Sequence, residues 1–393
     1  MKYVILVPDG AADYPQAALG GRTPLQAAHT PNMDQLARQG AGGLVDIIPP
    51  DRPPGSDVGN LEIFGYDSSV HATGRAPLEA ASQGLALTDS DVVYRVNLVT
   101  CDGDTLVDYS GGHLSRDEGA ALLGRVAAAL DRPGRRFFAG VGYRHLLVWS
   151  DGPDALRAFP PHDIMGRSVA EHLPTGPGEE EARALMAAAG PVLAAAPENA
   201  QRRRTGKPPA NAIWLWGAGR PLRLPSLAER WGLQGGVISA VDLVRGIGRA
   251  AGLEVIEVPG ITGYLDTNYA GKAAYALDAL QRLDLVYVHV EAPDEAGHNG
   301  DVEGKVQALE DFDRLVVGPV CAGLPALGGG RVLLVPDHRT PLQLRTHSRE
   351  PVPYVLWGQG IEPMGLAAFD ETSAASGSVH LARGHQMIGR LLR

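Results

Sequence analysis

Only two cysteines, Cys101 and Cys321, occur in 393 residues. Two thiols cannot build a disulfide framework or a zinc cluster by themselves, and their scarcity fits a reducing compartment. Positive charge is also short: 35 basic residues against 45 acidic ones leave a formal net charge of −10. A nucleic-acid surface begins with a basic patch, so that class of partner is excluded. An anionic small molecule is not, because local cations or metals can hold it. No apolar run reaches membrane-spanning length. The chain enters a strand-like run at residue 2 without a basic leader or cleavage site, so a cytoplasmic location is expected. The Gly-x-x-x-x-Gly-Lys-Ser/Thr phosphate loop is missing as well.

What is present is an ordinary globular balance, 44% hydrophobic and 20% charged. Fifty glycines and 30 prolines without a repeat period speak for many tight loops. The length suits two domains, or one large domain with an insertion. "KYVILVPDG" (2–10) is a near-continuous apolar run closed by Asp-Gly, the pattern of a strand buried on both faces of a parallel sheet. "TPNMDQLARQG" then predicts a helix with Thr30 as N-cap, Pro31 in the first turn and Gly40 at the stop. "GLVDIIP" reads as the next strand, and a helix is predicted from Asp57.

The same rhythm returns late. Residues 235–260 read as strand, helix, strand; "KAAYALDALQRLDLVYVHVE" as helix and strand; "EGKVQALEDFDRLVVGPVCAGL" as a long amphipathic helix; "GRVLLVPDH" and "PVPYVLWG" as two further strands. Between about residues 90 and 220 the runs look different, short strands joined by helical pieces. The expectation is an α/β fold, a mostly parallel sheet flanked by helices, formed by residues 1–88 and 222–393. An α+β domain, 89–221, is inserted. Within the insert, Trp214 and Trp216 alternate on one strand face and are read as core. Arg202, Arg203 and Arg204, in the stretch 198–211, are read as a solvated loop.

Open α/β sheets bind ligands beyond the carboxyl ends of their strands. Asp9 follows the first strand; Asp294 and His298 follow "LVYVHV"; Asp337 and His338 follow "RVLLVP"; His347 comes shortly after. If a helix begins after Pro293, a four-residue spacing puts Asp294 and His298 on one face. Three aspartates and three histidines supply about the donors that two adjacent divalent cations need. Singly these are ordinary residues: a solvated helix pair, an Asp-Gly turn, a helix cap. It is their shared position at one end of the predicted sheet that points to metal. Ser56 in "RPPGSDVGN" opens a predicted helix. A serine hydroxyl there could be a mere N-cap. Beside two cations it can be activated as a nucleophile, with helix amides for phosphate oxygens.

The ordered set Asp9, Ser56, Asp294-x-x-x-His298, Asp337-His338 and His347 resembles the alkaline phosphatase superfamily. Within it, "PDGAAD", "PPGSDVGNLEIFGYD", "GRAPLEAASQGL", "NAIWLWGAGR", "GYLDTNYAGKA", "HVEAPDEAGHNGD" and "PDHRTP" look like the archaeal-type 2,3-bisphosphoglycerate-independent phosphoglycerate mutases over nearly the whole chain. The resemblance implies one metal on Asp294, His298 and His347, and a second on Asp9, Asp337, His338 and the nucleophile Ser56. Manganese is the usual metal of the wider group, with zinc, cobalt or magnesium as alternatives and no 2,3-bisphosphoglycerate. It also implies a small phosphorylated substrate and migration of phosphate from O3 to O2 of glycerate through phosphoserine. The insert is given the task of closing over the site and excluding water. His113, Arg144, Arg220 and Lys272 are the candidate substrate contacts. Arg339 departs from the family pattern, where a small polar residue is expected. A homoserine kinase-like phosphotransferase, or a phosphomonoesterase, is the alternative on the same fold.

Overall fold

The computed structural model describes residues 1–393, which divide into two compact units, residues 1–72 with 223–393, and residues 73–222. The chain enters on β1 (Lys2–Pro8) and β2 (Ala41–Val45), leaves through β3 (Asp91–Asp102), β4 (Thr105–Asp108), β5 (Arg135–Val141), β6 (Arg144–Ser150) and β7 (Ala212–Gly219), and returns with β8 (Gly235–Ile238), β9 (Glu254–Val255), β10 (Leu285–Val290), β11 (Gly330–Leu334), β12 (Val352–Gly358) and β13 (His380–Leu381). The first crossing between units falls after Ala72, not at residue 88. The reason is the helix Arg75–Ser82, whose Ala76 and Ala80 pack on Val93 of β3 and Leu146 of β6.

In the first unit eight strands lie in the order β13-β2-β12-β11-β1-β10-β8-β9. β12 alone runs against its neighbours; all other pairings are parallel. Val4, Ile5, Leu6 and Val7 are completely buried, as a strand covered on both faces requires. Each such aliphatic side chain is worth about 1.5–3 kcal/mol of transfer free energy. Register then does the positioning. Pro8 lies opposite Val290 on β10, and Leu6 opposite Leu334 on β11. Residues just past these strands therefore emerge side by side at one edge. The predicted helix at Thr30 is found as Pro31–Gln39 with Gly40 after it. The long predicted helix beginning near Glu303 is Val302–Phe312, continued by a π turn, Asp313–Val317, and a last helical segment, Gly318–Gly323.

The second unit is a five-stranded antiparallel sheet, with β3 pairing β4, β6 and β7. Trp214 and Trp216 are core, and their indole N–H groups donate to Phe159 O and Asn97 Oδ1. The arginine stretch corrects the expectation of a solvated loop: Pro197–Arg204 is a helix. Arg202 is 2% exposed, paired with Glu118 at 2.8 Å and donating to the carbonyls of Gly111 and Gly112. A guanidinium has enough donors to be buried when carbonyls and a carboxylate meet them. No helix in the protein is long and apolar enough to cross a membrane.

Candidate metal centre

The sheet's carboxyl edge brings together all seven residues read as metal ligands. Asp9 follows β1, and its amide continues the ladder to Val290 O. Gly10 comes next at φ +60°, a turn only glycine takes easily. A side chain there would also collide with Thr340 and Asp294. Pro293 sits in the first turn of Ala292–Asn299, and that helix carries Asp294 and His298 on one face with His298 Nε2 3.2 Å from Asp294 Oδ2. Asp337 and His338 lie past β11, and both are completely buried.

Two donor groups result. In one, the ligand atoms of Asp294, His298 and His347 all lie within 4.8 Å of one another. His298 Nδ1 faces the Arg345 carbonyl at 3.0 Å, so it carries the proton of a neutral ring and aims a lone pair inward from Nε2. That nitrogen is 3.0 Å from His347 Nε2. Two imidazole nitrogens and a carboxylate packed this tightly need an extra proton or a cation between them. Without a cation the proton stays on His298, which its hydrogen bond to Asp294 pushes up to about 9. Burial would raise Asp294, but the His298 and His347 contacts override it and hold its carboxyl well below the usual range.

In the other group, His338 Nε2 lies 3.4 Å from Asp9 Oδ1 and 3.6 Å from Asp337 Oδ2. Asp9 Oδ1 is buried with no hydrogen-bond partner. Burial, then repulsion from Asp337, Glu291 and Asp294, pushes the Asp9 carboxyl well above its ordinary range. An orphaned carboxylate oxygen crowded by like charges is what a bound cation would satisfy. The donors present therefore fit divalent metals in both groups. Asp294 also lies within the same 4.8 Å limit of Asp9 and His338, so the groups adjoin.

Ser56 is the first residue of the helix Ser56–Ile63, following Gly55, and no side chain caps that helix start. Its Oγ stands 3.1 Å from His338 Nε2. Asn60, one turn on, donates to Ser56 O at 2.9 Å and to Asp337 Oδ2 at 2.7 Å, and accepts from Tyr287 Oη at 2.5 Å. The helix is thus tied to a ligand of the second group. Thr340 bonds Asp294 Oδ1 and lies 3.2 Å from His338 Nδ1, linking the two groups. Behind it, fully buried Lys305 donates to Thr340 O and to Asp13, both at 2.8 Å.

Sequence reading missed His289, Glu291, Asn60, Thr340 and Lys305. The signal for the first two was two polar residues at alternate positions in an otherwise apolar strand end, His289 and Glu291. Burial and nearby Asp294 push Glu291 up to about 8. Arg339 is not among the donors: its guanidinium donates to Pro351 O and Asp13 O and lies over Tyr14. The expected substrate contacts divide between the two units. Lys272, in the first unit, is fully buried with Nζ donating to His289 O at 2.7 Å, and burial pushes its ammonium down to about 8. Lys272 thus braces the end of β10. His113, Arg144 and Arg220 all lie in the second unit and are exposed. Of these, Arg220 is paired with Asp154 at 2.7 Å.

Carboxylates and imidazoles converging beyond a mostly parallel sheet define a metalloenzyme, and a family model described as "Metalloenzyme superfamily" matches residues 1–388. A Geobacter sulfurreducens protein named "Probable 2,3-bisphosphoglycerate-independent phosphoglycerate mutase" is 51% identical over 397 residues, covering 100% of both chains. A Methanothrix thermoacetophila protein named "2,3-bisphosphoglycerate-independent phosphoglycerate mutase" is 49% identical over 393 residues, again with 100% of both covered. Among solved structures, a Pyrococcus horikoshii protein aligns with TM-score 0.85 at 30% identity, covering 100% of this chain and 96% of that one. The cofactor-independent phosphoglycerate mutase of Thermoplasma acidophilum aligns with TM-score 0.70 at 28% identity, covering 100% and 99%. The chain belongs to the metalloenzyme superfamily and, within it, to the family of 2,3-bisphosphoglycerate-independent phosphoglycerate mutases.

Proposed function

We propose that the chain interconverts 3-phosphoglycerate and 2-phosphoglycerate without 2,3-bisphosphoglycerate, through a phosphoserine at Ser56. The observation that carries this reading is Ser56 Oγ at a helix start, 3.1 Å from His338 Nε2, a nitrogen that itself lies 3.4 Å from the orphaned Oδ1 of Asp9. One cation is assigned to Asp294, His298 and His347; the second to Asp9, Asp337 and His338, with Ser56 completing it. Manganese is the metal we assign first, ahead of zinc, cobalt and magnesium, because the resemblance to the wider group implies it; carboxylate and imidazole donors by themselves suit several divalent cations. When bound, two such cations supply neutralisation of phosphoryl oxygens and a lowered proton affinity of the serine hydroxyl.

The chain's own residues then do the following. Ser56 Oγ loses its proton and attacks phosphorus, so that the Oγ–P bond forms and the P–O3 bond breaks. O3 of glycerate takes up a proton as it leaves. The first amides of Ser56–Ile63 hold phosphoryl oxygens, and the helix dipole favours their charge. Asn60 keeps the serine's helix in step with Asp337. The glycerate turns, its 2-hydroxyl gives up its proton and attacks the phosphoserine, the P–Oγ bond breaks, and Ser56 Oγ takes up a proton as it leaves, which restores the hydroxyl. Water admitted between the two transfers would make the protein a phosphatase. Retention of glycerate is the task we assign to residues 73–222, with His113, Arg144 and Arg220 as the groups for its carboxylate. A cytoplasmic location, where phosphoglycerates are made and consumed, belongs to the same reading.

The test is turnover of 3-phosphoglycerate by Mn²⁺-loaded protein, coupled to enolase, with no 2,3-bisphosphoglycerate added. Ser56→Ala should abolish turnover while metal content stays near the unsubstituted level. An active Ser56→Ala protein removes the nucleophile from the proposal. Free phosphate release, or phosphate transfer from ATP to homoserine, would replace the mutase reading with a hydrolase or a kinase.

A further inference from the structure

Three adjacent strands end at the centre with side chains that form a single hydrogen-bonded line. β8 pairs with β10 up to Ile238 opposite Val288, so Ser239 comes level with His289. β10 pairs with β1, with His289 opposite Val7 and Asp9 two residues beyond. Ser239 and His289 are 1% and 0% exposed. The Val241 amide donates to Ser239 Oγ at 3.0 Å, Ser239 Oγ lies 3.2 Å from His289 Nδ1, and His289 Nε2 lies 2.9 Å from Asp9 Oδ2.

We infer that His289, oriented by Ser239, is a positioning residue that donates from Nε2 to Oδ2 of Asp9 and so leaves Oδ1 as the atom for a cation. The inference rests on the proposed role of Asp9 as a metal ligand. Its rival treats His289 as a ligand itself, since its ring nitrogen also clusters with Asp9 and Asp337. Proton accounting separates the two. Ser239 Oγ already accepts from Val241, so its own proton needs an acceptor in a site sealed from water, and Nδ1 of His289 is the one beside it. An Nδ1 that accepts puts the neutral ring's proton on Nε2, facing Asp9 Oδ2. A nitrogen carrying a proton donates and does not ligate. The two oxygens of Asp9 then have different partners: Oδ2 has this donor, and Oδ1, otherwise unpartnered, faces His338 Nε2. Buried donors that fix a ligand's orientation commonly matter 10–100-fold to metal affinity. His298 is the converse case: its Nδ1 faces a carbonyl and its Nε2 faces Asp294 and His347, so a cation that displaces the proton there would meet Nε2.

Two measurements test this. Nitrogen-15 NMR of the metal-free protein should find the His289 proton on Nε2; a proton on Nδ1 overturns the inference. Mn²⁺ titration by calorimetry gives the second arm, with folding of each variant checked by thermal melting. His289→Ala should still bind two cations per chain, one of them about 10–100-fold more weakly. His289→Gln, whose amide can donate to Asp9, should recover most of that loss, and Ser239→Ala should fall between. Loss of one whole equivalent in His289→Ala makes His289 a ligand and defeats the inference, as does unchanged affinity in every variant. If the unsubstituted protein binds no cation, it is the metal-centre reading that fails, not this refinement of it.

Discussion

Gly59→Ala places a test on the join between nucleophile and metal ligand. Gly59 lies within the Ser56–Ile63 helix, and a Cβ there would fall inside 3.0 Å of the Asp337 carbonyl oxygen and 2.9 Å from its carbonyl carbon. Ordinary contact begins near 3.4 Å, so helix and strand end must part by roughly 1 Å. Two effects oppose each other. Alanine is favoured over glycine in a helix by about 1 kcal/mol, whereas overpacking costs about 1–3 kcal/mol. The obstruction is backbone on both sides and cannot swing aside, so the clash wins, with a net loss of about 1–2 kcal/mol. Activity suffers more. The Asn60–Asp337 bond at 2.7 Å and the Ser56–His338 approach at 3.1 Å both stretch out of range. A misplacement of that size costs on the order of 100-fold in rate. The assay is enolase-coupled kcat/KM together with urea unfolding. Gly124→Ala is the control, because Gly124 is exposed in the Arg116–Leu130 helix with nothing near its missing Cβ. There the same substitution should stabilise by up to about 1 kcal/mol and leave turnover alone. A Gly59→Ala protein that is more stable and fully active would show that the helix is not wedged against Asp337, and the reasoning would fail.

Two further outcomes are expected. Lys305→Met leaves Asp13 without its buried ammonium and should lower stability by about 3–5 kcal/mol, read by urea unfolding. Adding Asp13→Asn, which removes the charge but keeps an oxygen for the Tyr14 and Leu342 amides, should recover part of it, and a loss under about 0.5 kcal/mol for the single variant would refute an uncompensated charge. The second outcome concerns pH. His298 is raised to about 9 in the metal-free protein, chiefly by Asp294, so it holds a proton throughout the neutral range. Its stabilising contribution is complete below the unfolded value, near 6.5, and fades as pH rises through about 9. A cation must expel that proton, so apparent affinity should climb with pH up to about 9 and then level off. Calorimetry in buffers of different ionisation enthalpy should find at least one proton released at pH 7.5, since Asp9 and Glu291 are raised as well; none released would refute the assignment.

Much of the centre was readable because its ligands stand at places that local chemistry marks. A strand buried on both faces shows as an unbroken apolar run, and the first polar residue past it, Asp9 or Asp337, marks the sheet edge. Helical spacing does the same for Asp294 and His298. Those features depend on near neighbours in the chain, which is why sequence alone determined them. Direction and depth do not. The apolar run of β12 reads like that of a parallel strand, yet β12 runs the other way, since periodicity carries no information about which partner a strand meets. Arg202, read as part of a solvated loop, is buried, and so is Lys305, because the carbonyls and carboxylates that neutralise them come from far along the chain. Lys272, read as a candidate substrate contact, donates to a carbonyl of β10, a partner that only the fold brings to it. The line from Ser239 through His289 to Asp9 depends on the register of three strands distant in sequence, so only tertiary structure could decide it.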